Sequence, residues 1–178
     1  MENEKKKTFG KLSIISMRGC EEITSKINMY LKQFRADYED VDTYITHITC
    51  PRFGTGEAKC VIDETVRGHD LFIICDMFNH GVTYKMYESE NHMSPDDHYQ
   101  DLKRIIAAAS GKARRITVVM PMLYEGRQHR RTARESLDCA LALQELAGMG
   151  VTNILTFDAH DARVQNSIPL TGFDDVQT

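Results

Sequence analysis

Apolar positions along this chain fall into two alternating patterns, short unbroken runs and stripes spaced by three or four residues. Unbroken runs bounded by turn residues predict buried strands, and the wider spacing predicts one-sided helices. Lys11 to Ser16 reads as the first strand, and Asp70 to Cys75 as a central parallel strand covered on both faces. Tyr44 to Thr49, Ala58 to Ile62, Arg115 to Met120 and Val151 to Phe157 are further strands. Residues 21–34 place Ile23, Ile27, Leu31 and Phe34 on one helical face. Ser94, Pro95 and Asp97 announce a second helix, as N-cap, first-turn proline and capping-box acid, with Tyr99, Leu102, Ile106 and Ala109 facing inward. Thr132 to Glu135 repeats the capping pattern before Leu137, Leu141 and Leu146, with Gly148 or Gly150 as the stop. A short helical segment is expected around Ala162 to Asn166. Arg52 to Glu57 is a loop, and residues 76–93, polar and without sustained period, predict a long surface loop. Strands alternating with helices imply an α/β fold: three layers, doubly wound around a mainly parallel sheet.

Composition narrows the class. One domain of 178 residues with 42% hydrophobic residues can bury a core. The first ten residues form a charged tail with no apolar core of a secretion signal. No run is long enough to span a membrane. A net charge of −4 and a pI near 6.0 argue against a nucleic-acid or membrane surface. Against that acidic background, the basic run from Arg127 to Arg134 is a focused anion site. The five cysteines show no C-x-x-C spacing, so thiols in a cytoplasmic protein are the expectation, with Cys60 and Cys75 as buried fillers.

Open α/β sheets bind ligands beyond the carboxyl ends of their strands. Two such ends carry chemistry. Gly126-Arg127-Gln128-His129-Arg130-Arg131 offers planar donors for phosphate oxygens. Asp158-Ala159-His160-Asp161 offers carboxylate and imidazole for a divalent cation or proton transfer. The blander alternatives are a solvated basic face and an aspartate that caps a helix.

Four segments occur in order: Phe53-Gly54-Thr55-Gly56-Glu57, Glu64-Thr65-Val66-Arg67-Gly68, Gly126-Arg127-Gln128 and Asp158-Ala159-His160. Together they resemble successive signatures of the ribose-phosphate pyrophosphokinase family, over about Lys11 to Val176. The resemblance implies a type I phosphoribosyltransferase-like fold. It also implies Mg²⁺-dependent transfer of pyrophosphate from ATP to ribose 5-phosphate, giving phosphoribosyl pyrophosphate and AMP. On this reading Phe53 stacks on adenine and Glu57 holds its amino edge, both reaching a neighbouring subunit of a homo-oligomer. Arg127 and Gln128 contact ATP, and Arg127 and His160 are the catalytic pair. His160 ligates Mg²⁺ with Asp158 in support. Arg67, and Arg134 less directly, correspond to a regulatory phosphate site.

The sequence departs from the family pattern in three places. Thr55 stands where Asp or Asn is usual, and His129 where Asp follows Arg-Gln. Residues 76–93 are longer than the family loop; His80, His92 and His98, with Asp96 and Asp97, could form a second metal site there. The acidic, glycine-rich loop that grips ribose 5-phosphate does not occur in this sequence, so it reads as the ATP-facing half of a longer enzyme. The alternatives are a non-catalytic regulatory or assembly module of the same family, and an unrelated metal-dependent hydrolase built on Asp158 and His160.

Overall fold

The computed structural model of the chain describes residues 10–37 and 39–178, so the expected tail over residues 1–10 lies, but for Gly10, outside the described residues. In chain order the elements are β1 (Leu12–Ser16), α1 (Glu21–Arg35), β2 (Ile48–Thr49), β3 (Val61–Ile62) and β4 (Asp70–Ile74). They continue with β5 (Thr83–Met86), β6 (Ser89–His92), α2 (Pro95–Ala109), β7 (Arg115–Val119), α3 (Asp138–Gly148), β8 (Asn153–Phe157), a 3₁₀ turn (Ala162–Ser167) and β9 (Gly172–Val176).

The main sheet runs β1-β4-β7-β8-β9, and every neighbouring pair is parallel. Residues 44–46 extend it beyond β1: the Ile14 amide donates to the Tyr44 carbonyl and the Thr46 amide to the Ile14 carbonyl, both at 2.8 Å. The chain therefore winds outward from β1 first, then crosses back to β4 and proceeds the other way. Right-handed crossovers in opposite directions place helices on opposite faces. The two apolar clusters follow that division. Ile14, Cys20, Tyr44 and Ile74 pack with Ile27 and Leu31 of α1. Leu71, Ile73, Ile116, Val118 and Ile154 pack with Leu102, Ile106, Leu143 and Leu146 of α2 and α3. This is the three-layer α/β arrangement that the alternating pattern predicts.

Helix α2 starts as its sequence dictates. Ser94 Oγ accepts from the Asp97 amide at 3.1 Å, and Asp97 Oδ2 accepts from the Ser94 amide at 3.0 Å. Tyr99, Leu102, Ile106 and Ala109 are all buried. Helix α1 covers the residues expected of it, but the buried faces of α1 and α3 differ from expectation in part. Thr132 does donate to Glu135, at 3.0 Å from its hydroxyl, but α3 begins only at Asp138. Its buried residues are Cys139, Ala142, Leu143 and the expected Leu146, while Leu141 is 57% exposed. The helix stops where Gly150 takes φ +97°, a conformation that costs glycine little, and the Val151 amide returns to the Leu146 carbonyl at 3.1 Å. In α1, Ile23 and Phe34 are exposed, Thr24 is buried, and Ile27 and Leu31 pack on the sheet.

Residues 76–93 are not a featureless loop. Strands β5 and β6 form an antiparallel hairpin, pairing Thr83 with His92 through Met86 with Ser89. Its central residues Tyr87 and Glu88 both take positive φ, 47° and 68°, as a tight two-residue turn requires. Strand β9 is likewise absent from the sequence reading. Its alternating half-burial at the sheet edge leaves a pattern too weak to distinguish from coil.

Candidate active site

The loops leaving the carboxyl ends of β7 and β8 enclose a cleft of about 390 Å³, and Arg127 and His160 both line it. After β7 the chain turns through Pro121 to Glu125, where Glu125 adopts φ +56°. The Gly126 amide closes the turn on the Leu123 carbonyl at 3.1 Å, and the Gln128 amide on the Glu125 carbonyl at 2.8 Å. These bonds set the guanidinium of Arg127, on an exposed residue, at the cleft. After β8, Asp158 takes φ +46°, and the Ala159 amide donates to Asp175 Oδ1 of β9 at 2.9 Å. That turn exposes the His160 imidazole on the same cleft. Phe78, Met122, Tyr124 and Phe157 supply its apolar walls. None of these four was singled out from sequence; the available signal was position, since Met122 and Phe157 stand at strand ends.

The remaining sequence-predicted residues distribute unevenly. Asp158 lines the cleft, but its carboxylate accepts from the Thr178 amide at 3.1 Å and from the Thr178 hydroxyl. Those bonds hold it below the usual carboxylate range. Gln128 does not line the cleft; its side-chain oxygen is buried with no hydrogen-bond partner among the described residues. His129 tilts against His160, with ring centroids 5.1 Å apart at 58°. Its Nε2 lies 3.5 Å from Asp161 Oδ2, so a carboxylate stands beside the position where the family pattern carries one. Asp161 also caps the 3₁₀ turn, accepting from the Arg163 amide at 2.9 Å, and pairs with the Arg163 guanidinium, which pulls its carboxyl far down.

Phe53 and Glu57 lie elsewhere, at the tip of the β2–β3 excursion. The Phe53 amide donates to the Glu57 carbonyl at 2.7 Å, and Thr55 Oγ1 to Glu57 Oε2 at 3.0 Å. Phe53 is 52% exposed, and neither it nor Glu57 lines the cleft on Arg127. The β5–β6 hairpin braces this tip: the Tyr87 amide donates to the Gly54 carbonyl at 3.0 Å. Arg67 precedes β4, at the amino end of the sheet, whereas Arg134 belongs to the loop leaving the carboxyl end of β7. Both are exposed, and the fold does not bring them together.

Among the described residues, no group of three His, Cys, Asp or Glu side chains converges to hold a metal ion. The histidine-rich second site expected near residues 76–98 is otherwise engaged. His80 and His92 stack at 4.4 Å, His92 Nδ1 meets the His80 carbonyl, His98 Nε2 meets the Asn79 carbonyl, and Asp97 serves the α2 cap. Tyr124 donates to Asp96 at 2.6 Å.

Comparison with known proteins agrees with this architecture. The family profile described as the N-terminal domain of ribose phosphate pyrophosphokinase matches residues 12–150. A ribose-phosphate pyrophosphokinase of Maricaulis maris is 33% identical over 153 residues, covering 85% of this chain and 42% of that protein. One from Hyphomonas neptunium is 30% identical over 157 residues, covering 88% of this chain and 44% of that protein. The chain thus spans less than half the length of these relatives. A crystal structure of phosphoribosylpyrophosphate synthetase from Mycobacterium smegmatis superposes with a TM-score of 0.70 at 23% identity, over 94% of this chain and 48% of that one, so the fold is shared. A match of this extent to the family profile, on a fold of the type I phosphoribosyltransferase kind, places the chain in the ribose-phosphate pyrophosphokinase family, over the residues of its amino-terminal domain.

Proposed function

We propose that this chain is the nucleotide-binding half of a ribose-phosphate pyrophosphokinase, holding Mg-ATP for pyrophosphoryl transfer to ribose 5-phosphate. The observation that carries the reading is the meeting of Arg127 and His160, from separate strand ends, on one cleft with apolar walls. A pyrophosphoryl transfer is a displacement between phosphate oxygens and a sugar hydroxyl, so the protein's contribution is positioning and charge neutralisation. Arg127 suits that role: a guanidinium presents a rigid fork to two phosphate oxygens at once. His160 suits an ion delivered with the nucleotide. Magnesium keeps several waters and takes few protein ligands beside phosphate oxygens, so the sparse donor set of His160 with Asp158 fits it. When bound, the ion would neutralise phosphate charge and polarise the bridging oxygens. Asp158 would join only by releasing Thr178.

Phe53 and Glu57 stand away from the cleft of their own chain, which supports the reading that they serve the cleft of a neighbouring copy. Self-association is therefore part of the proposal.

Calorimetric titration of the chain with Mg-ATP tests the reading. We expect binding that weakens at least about tenfold in Arg127→Ala, the loss of one charge-assisted contact, and binding in His160→Ala that no longer responds to magnesium. Absence of nucleotide binding, or unchanged affinity in both variants, would overturn it. A non-catalytic module of the same family is the second reading. It is favoured by the Thr55 hydroxyl on Glu57 and by the engagement of Asp158. Turnover that requires Arg127, measured in a longer chain carrying this one, would exclude it.

A further inference from the structure

Two of the five cysteines differ from the rest in position and chemistry. Cys20, Cys75 and Cys139 are buried. Burial pushes the Cys20 and Cys139 thiols up to about 12 and about 11, and Cys75 well above its usual value. Cys50 and Cys60 are partly exposed and flank the loop that bears Phe53 and Glu57. The β2–β3 ladder sets their relation. Ile48 pairs with Ile62, Thr49 with Val61, and Arg52 with Ala58 in an isolated antiparallel bridge. The same register puts Cys50 directly opposite Cys60.

The hydrogen-bond pattern identifies the type of pair. The Asp63 amide bonds the His47 carbonyl, the Lys59 amide the Pro51 carbonyl, and the Phe53 amide the Glu57 carbonyl. Hydrogen-bonded and non-hydrogen-bonded pairs alternate along an antiparallel ladder, so Cys50 and Cys60 form a non-hydrogen-bonded pair. Such pairs hold their side chains on one face with Cα atoms about 4.5 Å apart, inside the range that a disulfide spans.

We propose that Cys50 and Cys60 are a redox-active pair whose reversible disulfide clamps the Phe53–Glu57 loop. Cys50 is the attacking sulfur. The thiol–thiol hydrogen bond from Cys60 lowers the Cys50 pKa, with Arg104 and Arg18 acting with it against burial and Asp101, whereas the same bond, burial, Asp101 and Asp63 all act against the Cys60 thiolate. The oxidant is a small disulfide. The Cys50 thiolate attacks one of its sulfurs, forming a mixed disulfide and releasing one small thiolate. Cys60 then gives up its proton and attacks the Cys50 sulfur, releasing the second small thiol. Two protein thiols are oxidised and one small disulfide is reduced to two thiols. Oxidation ties together the two strands that carry a loop with glycines at 54 and 56. The bond depends only on the ladder and not on what the loop binds.

The test is treatment of the full chain with oxidised glutathione, then alkylation under denaturing conditions, intact mass and peptide mapping. We expect three alkyl groups in place of five, one peptide linked through Cys50 and Cys60, and full reversal by dithiothreitol. In Cys60→Ser, glutathione should remain on Cys50. In the oxidised wild type, amide exchange over residues 53–57 should slow severalfold. Five alkylatable thiols after oxidation, or a cross-link through Cys20, Cys75 or Cys139, would overturn the proposal. A Cys50–Cys60 bond with unchanged exchange in residues 53–57 would overturn the clamp.

Discussion

Arg52 shows how one side chain can fix a loop. Its guanidinium, almost wholly buried, lies 3.1 Å from Asp101 Oδ2, 3.1 Å from the Gly56 carbonyl and 4.2 Å from the Tyr84 ring centre. It thus ties the Phe53 loop, helix α2 and hairpin β5–β6 to one point. Asp101 keeps Arg104 at 2.6 Å if Arg52 is removed, so the loss is partial. We predict that Arg52→Met costs about 2 kcal/mol, seen as a Tm lower by roughly 4–8 °C in thermal denaturation. Glu125 tests electrostatics at the cleft. Burial, then the nearby Asp138 and Asp96, raise its pKa above the usual value. A carboxyl raised on folding favours the protonated form, so its contribution is present at low pH and is lost as pH rises through the folded value. Glu125→Gln should therefore be more stable than wild type at neutral pH. The gap should close below the ordinary glutamate value of about 4.3, as melting curves across that range would show.

At the scale of elements, the hairpin β5–β6 is the part of the fold whose local sequence gives the least warning. Tight turns of this kind favour Asn-Gly, and here Tyr87 and Glu88 take left-handed backbone against their preference. The strain is held by a cross-strand bond, Thr83 Oγ1 to Glu90 at 2.7 Å, and by a contact from outside the hairpin, Arg18 to the Thr83 carbonyl at 2.7 Å. Replacing the pair by Asn-Gly should stabilise the chain by about 1 kcal/mol, measurable by urea denaturation, with no change in the register from Thr83–His92 to Met86–Ser89. Helix α2 is the opposite case. Its cap, proline and apolar stripe all agree, and structure and sequence reading coincide from Pro95 to Ala109.

At the scale of the molecule, the cleft on Arg127 and His160 and the loop of Phe53 and Glu57 are separate within one chain. If both meet the same nucleotide, two copies are needed. Light scattering should then show a dimer or larger assembly at micromolar concentration, and a strict monomer would remove Phe53 and Glu57 from the site. Burial also leaves Ile23, Tyr30 and Phe34 of α1 exposed, an apolar stripe that folding of the single chain does not cover.

What the sequence determined by itself was local and periodic: the central strands, the α2 cap, the parallel α/β class, and the strand-end positions of Arg127, Asp158 and His160. Those features rest on neighbours a few residues apart, which a linear pattern records. Only the tertiary structure decided which strand ends lie side by side, that Gln128 turns away from the cleft, that Asp158 is already bonded, and that Cys50 faces Cys60. It also decided the hairpin and β9, whose residues are half-buried or exposed. Strand β9 pairs with β8, nineteen residues earlier, and the hairpin, though its strands pair with each other, is held in place by Arg18 and Arg52 from far along the chain; burial that partial leaves no hydrophobic period to read.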